Sequence, residues 1–399
     1  MSLFLDQGSP TTFEVLPERS MMRIAVVGPT YPFRGGIAHY TTLLTAQLGS
    51  HCDTRLYSFR QQYPNWLFPG RSQIDPSAQP LAPIEARRWL IPWWPFSWQR
   101  VVNDWKMWQP DRVVVQWWIP FMAPMTAWLL SRARRTHIRS SVICHNVLPH
   151  ERSRIDRFLA RLALRHADQL IVHSTAQQAV AQELLPGCIT RVVSLPSYAA
   201  FQTNAWTRES ARGHLGLTGN VILFFGLVRP YKGLLDLIDA LPAFLAEVEA
   251  TLLVVGEIWG DATVYRLRVA ELDLQTKVQF VDRYVSNDEA ACYFAAADLA
   301  VLPYREATGS AVLKLALGLG VPVVATRTGG MDETVVEGVT GFLIEPGDVT
   351  GLSRAMTRFF QEECAADFRN AIVRQADRYG WQYLIEALLL SDGMNDVAR

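Results

Sequence analysis

Residues 297–348, ADLAVLPYREATGSAVLKLALGLGVPVVATRTGGMDETVVEGVTGFLIEPGD, decide how this chain folds. Leu299–Pro303 is an apolar run of the length and kind expected for a buried parallel strand. Tyr304–Ser310 is a polar loop, and Ala311–Leu319 is apolar nearly throughout, which predicts a helix buried on most faces and closed by Gly320. Val321–Ala325 reads as a second buried strand, followed by a loop with Gly329 and Gly330. Open parallel sheets bind ligands where loops leave the carboxyl ends of strands, and here two such loops flank one helix. The helix N-terminus near Ser310 offers unpaired N–H groups and partial positive charge, which suits a diphosphate. An ordinary βαβ unit without a ligand is the alternative that this spacing leaves open.

Working outward, residues 224–241 (FFGLVRPYKGLLDLIDAL) lie within a strand, Val221–Gly226, a loop, and a helix, Gly233–Val248. The loop holds Arg229 and Lys232. Two cations at a strand's carboxyl edge can neutralise a diphosphate leaving group with neither metal nor proton transfer, chance surface cations being the alternative. Strands at Thr251–Gly256 and Val278–Val281 continue the alternation. Near the start, Met22–Gly28 is a strand, the loop after it carries Gly35 and Gly36, and a helix begins at about Ile37. Paired glycines let a backbone approach a ligand closely, but the spacing is not that of a dinucleotide fingerprint. Further strands are expected at Thr54–Phe59, Asp111–Gln116, Ser140–His145 and Leu170–His173, with helices covering Thr126–Arg134 and residues 152–166. The last of these carries an apolar stripe (Ile155, Phe158, Leu159, Leu162, Ala163) opposite an Arg-rich face. Residues 60–110, rich in Pro and Trp, give no clear period.

A chain of 399 residues suits two cores better than one, and 49% hydrophobic against 19% charged residues excludes a disordered protein. Residues 1–195 carry 21 Lys and Arg against 12 Asp and Glu, whereas residues 196–399 carry 17 against 26. One half therefore faces an anionic surface or substrate, or Arg-rich composition alone accounts for the bias. Nine of the thirteen tryptophans fall between Trp89 and Trp128, interleaved with Arg87, Arg88 and Arg100 and followed by Arg132, Arg134 and Arg135. This pattern fits peripheral contact with an anionic membrane, or core packing beside an acceptor surface. The uncharged run Val113–Ser131 is close to spanning length, but Pro120 and Pro124 break it. The five cysteines show no metal-like spacing, no signal peptide is apparent, and no nucleic-acid module is recognisable, so a reducing cytoplasm is expected.

The Leu302–Pro303 pair, GVPVVAT at 320–326, Gly329–Gly330 with Glu333 following, GVTGFLIEPGD at 338–348, and the 224–241 stretch together resemble the family 4 retaining glycosyltransferases (glycosyl transferases group 1). The likeness runs from about Met22 to the C-terminus. It implies a GT-B fold: two Rossmann-like, doubly wound parallel-sheet α/β domains facing a cleft. Residues 1–20 are then a disordered extension, and 21–195 an acceptor-binding domain completed by a helix within 381–399. Residues 196–380 become the nucleotide-sugar domain. The resemblance further implies that Lys232 is the Lys of the family's Gly-Arg…Lys-Gly motif. Its Arg position is held here by Leu227, and Arg229 stands two places later. By the same likeness His145, ahead of His150, contacts the transferred sugar, Gly35 and Gly36 bridge donor and acceptor, and Arg283 lies in the nucleobase loop. The family's two Glu, eight residues apart, fall on Ala307 and Leu315. Glu306 and Lys314 keep the separation but are shifted by one, and Lys314 reverses the charge. Sugar holding then rests on Glu306 or on the backbone at Thr308, Gly309 and Ser310, with Glu333 bracing the loop. The expected reaction is metal-independent and needs no cofactor, with a UDP- or GDP-sugar as co-substrate. The acceptor is a saccharide or lipid-linked molecule, met in the bacterial cytoplasm or at the inner face of the plasma membrane. A nucleotide-sugar epimerase and a binding protein without turnover are the alternatives on the same fold.

Overall fold

Strands that are apolar on both faces need helices on both sides. Arg112–Trp117 and Leu299–Leu302 are buried at every position, and each lies in the middle of a parallel sheet. The computed structural model describes residues 21–389 apart from 65, 69, 150–152 and 202–204, so the expected extension 1–20 and His150 lie outside the described residues.

The first domain opens with β1 (Arg23–Val27), α1 (Gly36–Gly49), β2 (Asp53–Phe59), β3 (Ala86–Leu90), α2 (Pro95–Trp108) and β4 (Arg112–Trp117). It continues with α3 (Ala123–Arg135), β5 (Arg139–Cys144), α4 (Arg154–Leu164), β6 (Gln169–Val172), α5 (Thr175–Leu184) and β7 (Ile189–Val192). The second begins with α6 (Arg208–Leu215), β8 (Asn220–Phe225), α7 (Leu234–Leu245), β9 (Ala250–Val255), α8 (Thr263–Glu271), β10 (Val278–Val281) and α9 (Asn287–Ala296). Then come β11 (Leu299–Leu302), α10 (Ala311–Gly318), β12 (Val323–Thr326), β13 (Gly341–Ile344), α11 (Val349–Gln361) and α12 (Ala365–Arg374). A last helix, α13 (Gln382–Leu389), returns to the first domain, where Trp381 packs 5.2 Å from the Tyr40 ring of α1.

The strand orders are β3-β2-β1-β4-β5-β6-β7 and β10-β9-β8-β11-β12-β13. Order reverses between β1 and β4 in one sheet and between β8 and β11 in the other. Each reversal splays the following loops apart and opens a crevice at the carboxyl edge.

The stretch 60–110 proves to contain β3 and α2. In α2 the inward face is Trp98, Val101, Val102, Trp105 and Trp108, a helical period hidden in the sequence by Trp94, Phe96 and Met107 on the outer side. The tryptophans divide accordingly: Trp98, Trp105, Trp108 and Trp117 are core, while Trp93 and Trp94 are exposed. The α4 stripe divides too, because Ala160, Ala163 and Leu164 face inward and leave Ile155 and Phe158 in solvent. Val113–Ser131 is part of β4, a short 3-10 turn and part of α3; among the described residues no helix is long and apolar enough to cross a membrane.

Candidate active site

Lys232 and Arg229 follow β8, at the reversal of the second sheet. Gly233 holds the loop in place: its φ is +68°, and a Cβ there would lie 1.9 Å from the Pro303 carbonyl oxygen. Only glycine permits that approach, so the loop after β8 is pressed onto the end of β11. Arg305 ties the same two loops from the other side. Its N–H donates to the Tyr231 carbonyl at 2.8 Å, and its guanidinium forks onto the buried Asp236 at 2.9 and 2.6 Å. Lys232 is thereby buried with its ammonium 5.3 Å from the Tyr304 ring centroid. A Cβ on Gly226 would lie 3.1 Å from both Lys232 Nζ and Val312 Cγ2, which sets the ammonium beside the first turn of α10. Burial, then the neighbouring Arg229, lowers the Lys232 pKa to about 8. Among the described residues neither cation has a carboxylate partner; Arg229 is exposed and rests on the Tyr231 and Trp259 rings. Ser310 caps α10, accepting the Leu313 N–H at 3.1 Å.

The first domain closes on this edge. Gly36 stands against α10, where an added Cβ would come within 3.2 Å of Ala311 Cβ. The Gly35 N–H donates to Tyr284 Oη at 3.0 Å. Asn146, next to His145, meets the Thr308 hydroxyl through its side-chain oxygen. His145 Nε2 lies 2.8 Å from Gln116 Oε1. An amide oxygen only accepts, so Nε2 carries the proton and Nδ1 keeps its lone pair. Burial, then the adjacent His173, holds the His145 pKa well below its usual value, so the ring is neutral. Gly36 against Ala311, Gly35 against Tyr284 and Asn146 against Thr308 thus bring loops of the first domain to the edge that carries Lys232 and the start of α10, with His145 one residue before Asn146.

Other sequence candidates lie differently. The Arg283 guanidinium is engaged by Glu289, which also accepts from Ser286 at the start of α9. Glu306 is exposed. Lys314 turns away from the crevice and toward the segments that cross between the domains. Its Nζ donates to Ser194 Oγ at 3.0 Å and Thr334 Oγ1 at 3.1 Å, 3.8 Å from the Tyr379 ring centroid. Burial above all, with Arg378 nearby, lowers its pKa to about 7. Glu333 reaches across the domains, accepting from Thr175 Oγ1 at 2.5 Å and from the Thr175 N–H at 3.2 Å.

Sequence reasoning missed Arg34 and Glu257, a buried pair at 2.6 Å that joins the domains. Glu257 also accepts the Arg71 N–H at 2.8 Å and the Trp259 indole at 3.0 Å. Burial pushes its pKa up, but these donors prevail and hold it below the usual value. The available signal was an acid two residues beyond the end of β9, facing a cation beside the Gly pair. Among the described residues no three His, Cys, Asp or Glu side chains gather as a metal site.

Residues 219–362 match the family model described as Glycosyl transferases group 1. The chain is 31% identical over 143 residues to N-acetyl-alpha-D-glucosaminyl L-malate synthase of Bacillus anthracis, covering 36% of each protein. It is 29% identical over 238 residues to D-inositol 3-phosphate glycosyltransferase of Streptomyces avermitilis, covering 57% of this chain and 49% of that one. These matches span between a third and a half of the relatives' length. Anabaena HepE in complex with UDP-glucose superposes with a TM-score of 0.69 at 20% identity, over 92% of this chain and 98% of that one. The two share the whole two-domain fold.

Proposed function

We propose, from the premise that the chain carries a glycosyl transferases group 1 domain on a GT-B fold, that it is a retaining, metal-independent glycosyltransferase acting on a nucleotide-sugar. The observation that carries this reading is Lys232, a buried ammonium beside the first turn of α10 that has no carboxylate partner among the described residues. In the reaction the bond from the sugar's anomeric carbon to the diphosphate breaks. The acceptor oxygen bonds to that carbon on the same face, and the acceptor's proton passes to a leaving phosphate oxygen. Lys232, Arg229 and the α10 amides offset the growing negative charge, which is the task a divalent cation would otherwise perform. Neutral His145, its Nε2–H fixed by Gln116, presents Nδ1 as an acceptor for a sugar hydroxyl. A UDP- or GDP-sugar is the donor; the UDP-glucose bound by the HepE neighbour supports the choice of class.

The acceptor, a saccharide or a lipid-linked one, belongs to the basic first domain. Exposed Trp94, Phe96, Ile155 and Phe158 beside Arg100, Lys106, Arg154 and Arg161 support peripheral docking on an anionic membrane at the inner face of the plasma membrane.

Mass-spectrometric detection of nucleoside diphosphate release, over UDP- and GDP-sugars with and without chelator, tests the reading. Release unaffected by chelator is expected. Activity lost in chelator and restored by manganese removes metal independence. Nucleotide binding without release from any donor favours the non-catalytic alternative, which the Ala307 and Leu315 replacements motivate.

A further inference from the structure

A cavity of about 560 Å³ lies behind α10, at the opposite end of that helix from Ser310. Its walls come from α9, from Leu317–Gly320, and from both chain segments that cross between the domains: Ser197 on the way out, Gln375–Tyr379 on the way back. The crossings are bonded to each other, the Ser197 N–H donating to the Tyr379 carbonyl at 2.8 Å. The volume falls in the range of small-molecule sites, roughly 300–1,000 Å³.

The lining has three cations, Lys314, Arg208 and Arg369, and no carboxylate. Asp298, close by, is already balanced by Arg208 at 3.0 Å and Arg212 at 2.5 Å. Arg369 is steadied by the Ala297 carbonyl at 3.1 Å. Among the described residues, two side-chain atoms set behind this lining have no hydrogen-bond partner: Arg208 Nη2, a donor, and Gln375 Oε1, an acceptor. Native proteins rarely leave such groups unmatched, so each calls for an explanation. Trp206, Phe294 and Ile372 supply an apolar wall between them.

We propose that this cavity is a second binding site, for an organic anion with an apolar body. The Arg208 and Arg369 side chains take the acidic group, and the body lies on the apolar wall. Because both interdomain crossings form the walls, an occupant acts on the hinge while leaving the donor crevice open. The site stands independently of the reaction assigned above.

The probe is 8-anilinonaphthalene-1-sulfonate, with uncharged N-phenyl-1-naphthylamine as control, titrated into the full chain by fluorescence. One-to-one binding of the sulfonate is expected, with the uncharged probe at least about tenfold weaker for want of a charge-assisted bond. Ala295→Trp and Ala376→Trp, each filling the cavity from a different wall, abolish binding while circular dichroism stays that of the wild type. Arg208→Met weakens the sulfonate by about tenfold and leaves the neutral probe unchanged, Arg212 still balancing Asp298. Sulfonate binding that survives both Trp variants, equal affinity for the two probes, or no binding at all overturns the proposal.

Discussion

Lys232 and Lys314 are both lysines whose ammonium is costly where it sits, and the costs have different consequences. Lys232 lies beside the start of α10, where in the proposed reaction the donor's diphosphate compensates its charge. Lys232→Ala should lower kcat/KM by about 2–4 kcal/mol of transition-state stabilisation, the range for a lost oxyanion donor. With a pKa of about 8, the free enzyme loses the charge above that value. Wild-type kcat/KM should therefore fall as pH rises through about 8, and the residual activity of the Ala variant should lack that limb; a shared limb would assign it elsewhere. Lys314 is held by Ser194 and Thr334 and lies over the Tyr379 ring, with Arg378 and the partly offsetting Glu333 acting on its ammonium through space. Its folded pKa of about 7 lies below the ordinary lysine value, so the unfolded chain binds more protons between the two. Stability must then rise with pH across that window, and the cost is complete below pH 7. Lys314→Met should raise Tm more at pH 6 than at pH 9, and calorimetry showing the reverse order would reject the assignment.

The loops are where the molecule's two halves hold each other, and Arg34–Glu257 is a buried ion pair among them. Breaking one side of a buried pair strands the other charge, at a cost of roughly 3–5 kcal/mol unless water can reach it. Opening the cleft supplies that water. Glu257→Gln should therefore enlarge the radius of gyration in X-ray scattering and raise the donor KM, with little change in the unfolding of either domain. A scattering profile identical to the wild type would show that the clamp does not govern closure. The same loops mark where sequence reading stopped. The sheets were legible because runs such as Val221–Gly226 and Leu299–Pro303 are apolar throughout and end in glycine or proline. Lys232 was legible because it follows such a run. Arg34 and Glu257 lie 223 residues apart, and no local pattern joins them. Lys314 was ambiguous because one step along a helix turns a side chain by about 100°, enough to move it from crevice to hinge. In α2 and α4 aromatic and aliphatic residues on the outer side blurred the period that core packing follows.

Across the whole molecule those outward residues and the charge asymmetry point the same way. The first half is basic, and its α2 and α4 expose Trp94, Phe96, Ile155 and Phe158. Co-sedimentation with anionic vesicles should be strong at low salt, weaken as salt is added, and be poor on neutral lipid. Replacing the four apolar residues by Ser should reduce it without unfolding the protein; equal failure on both lipids would leave the exposed aromatics unexplained by a membrane. The path of the chain carries a separate consequence. Trp381, at the entry to α13, is laid against Tyr40 of α1 after the whole second domain has been traced, and Leu384 and Leu388 of α13 are fully buried. Domains made on the ribosome usually finish in the order they emerge. Here that order inverts: the half synthesised first waits for the half synthesised second. Until the closing helix leaves the exit tunnel, the Tyr40 side of the nascent first domain stands uncovered, a surface for chaperones to shield.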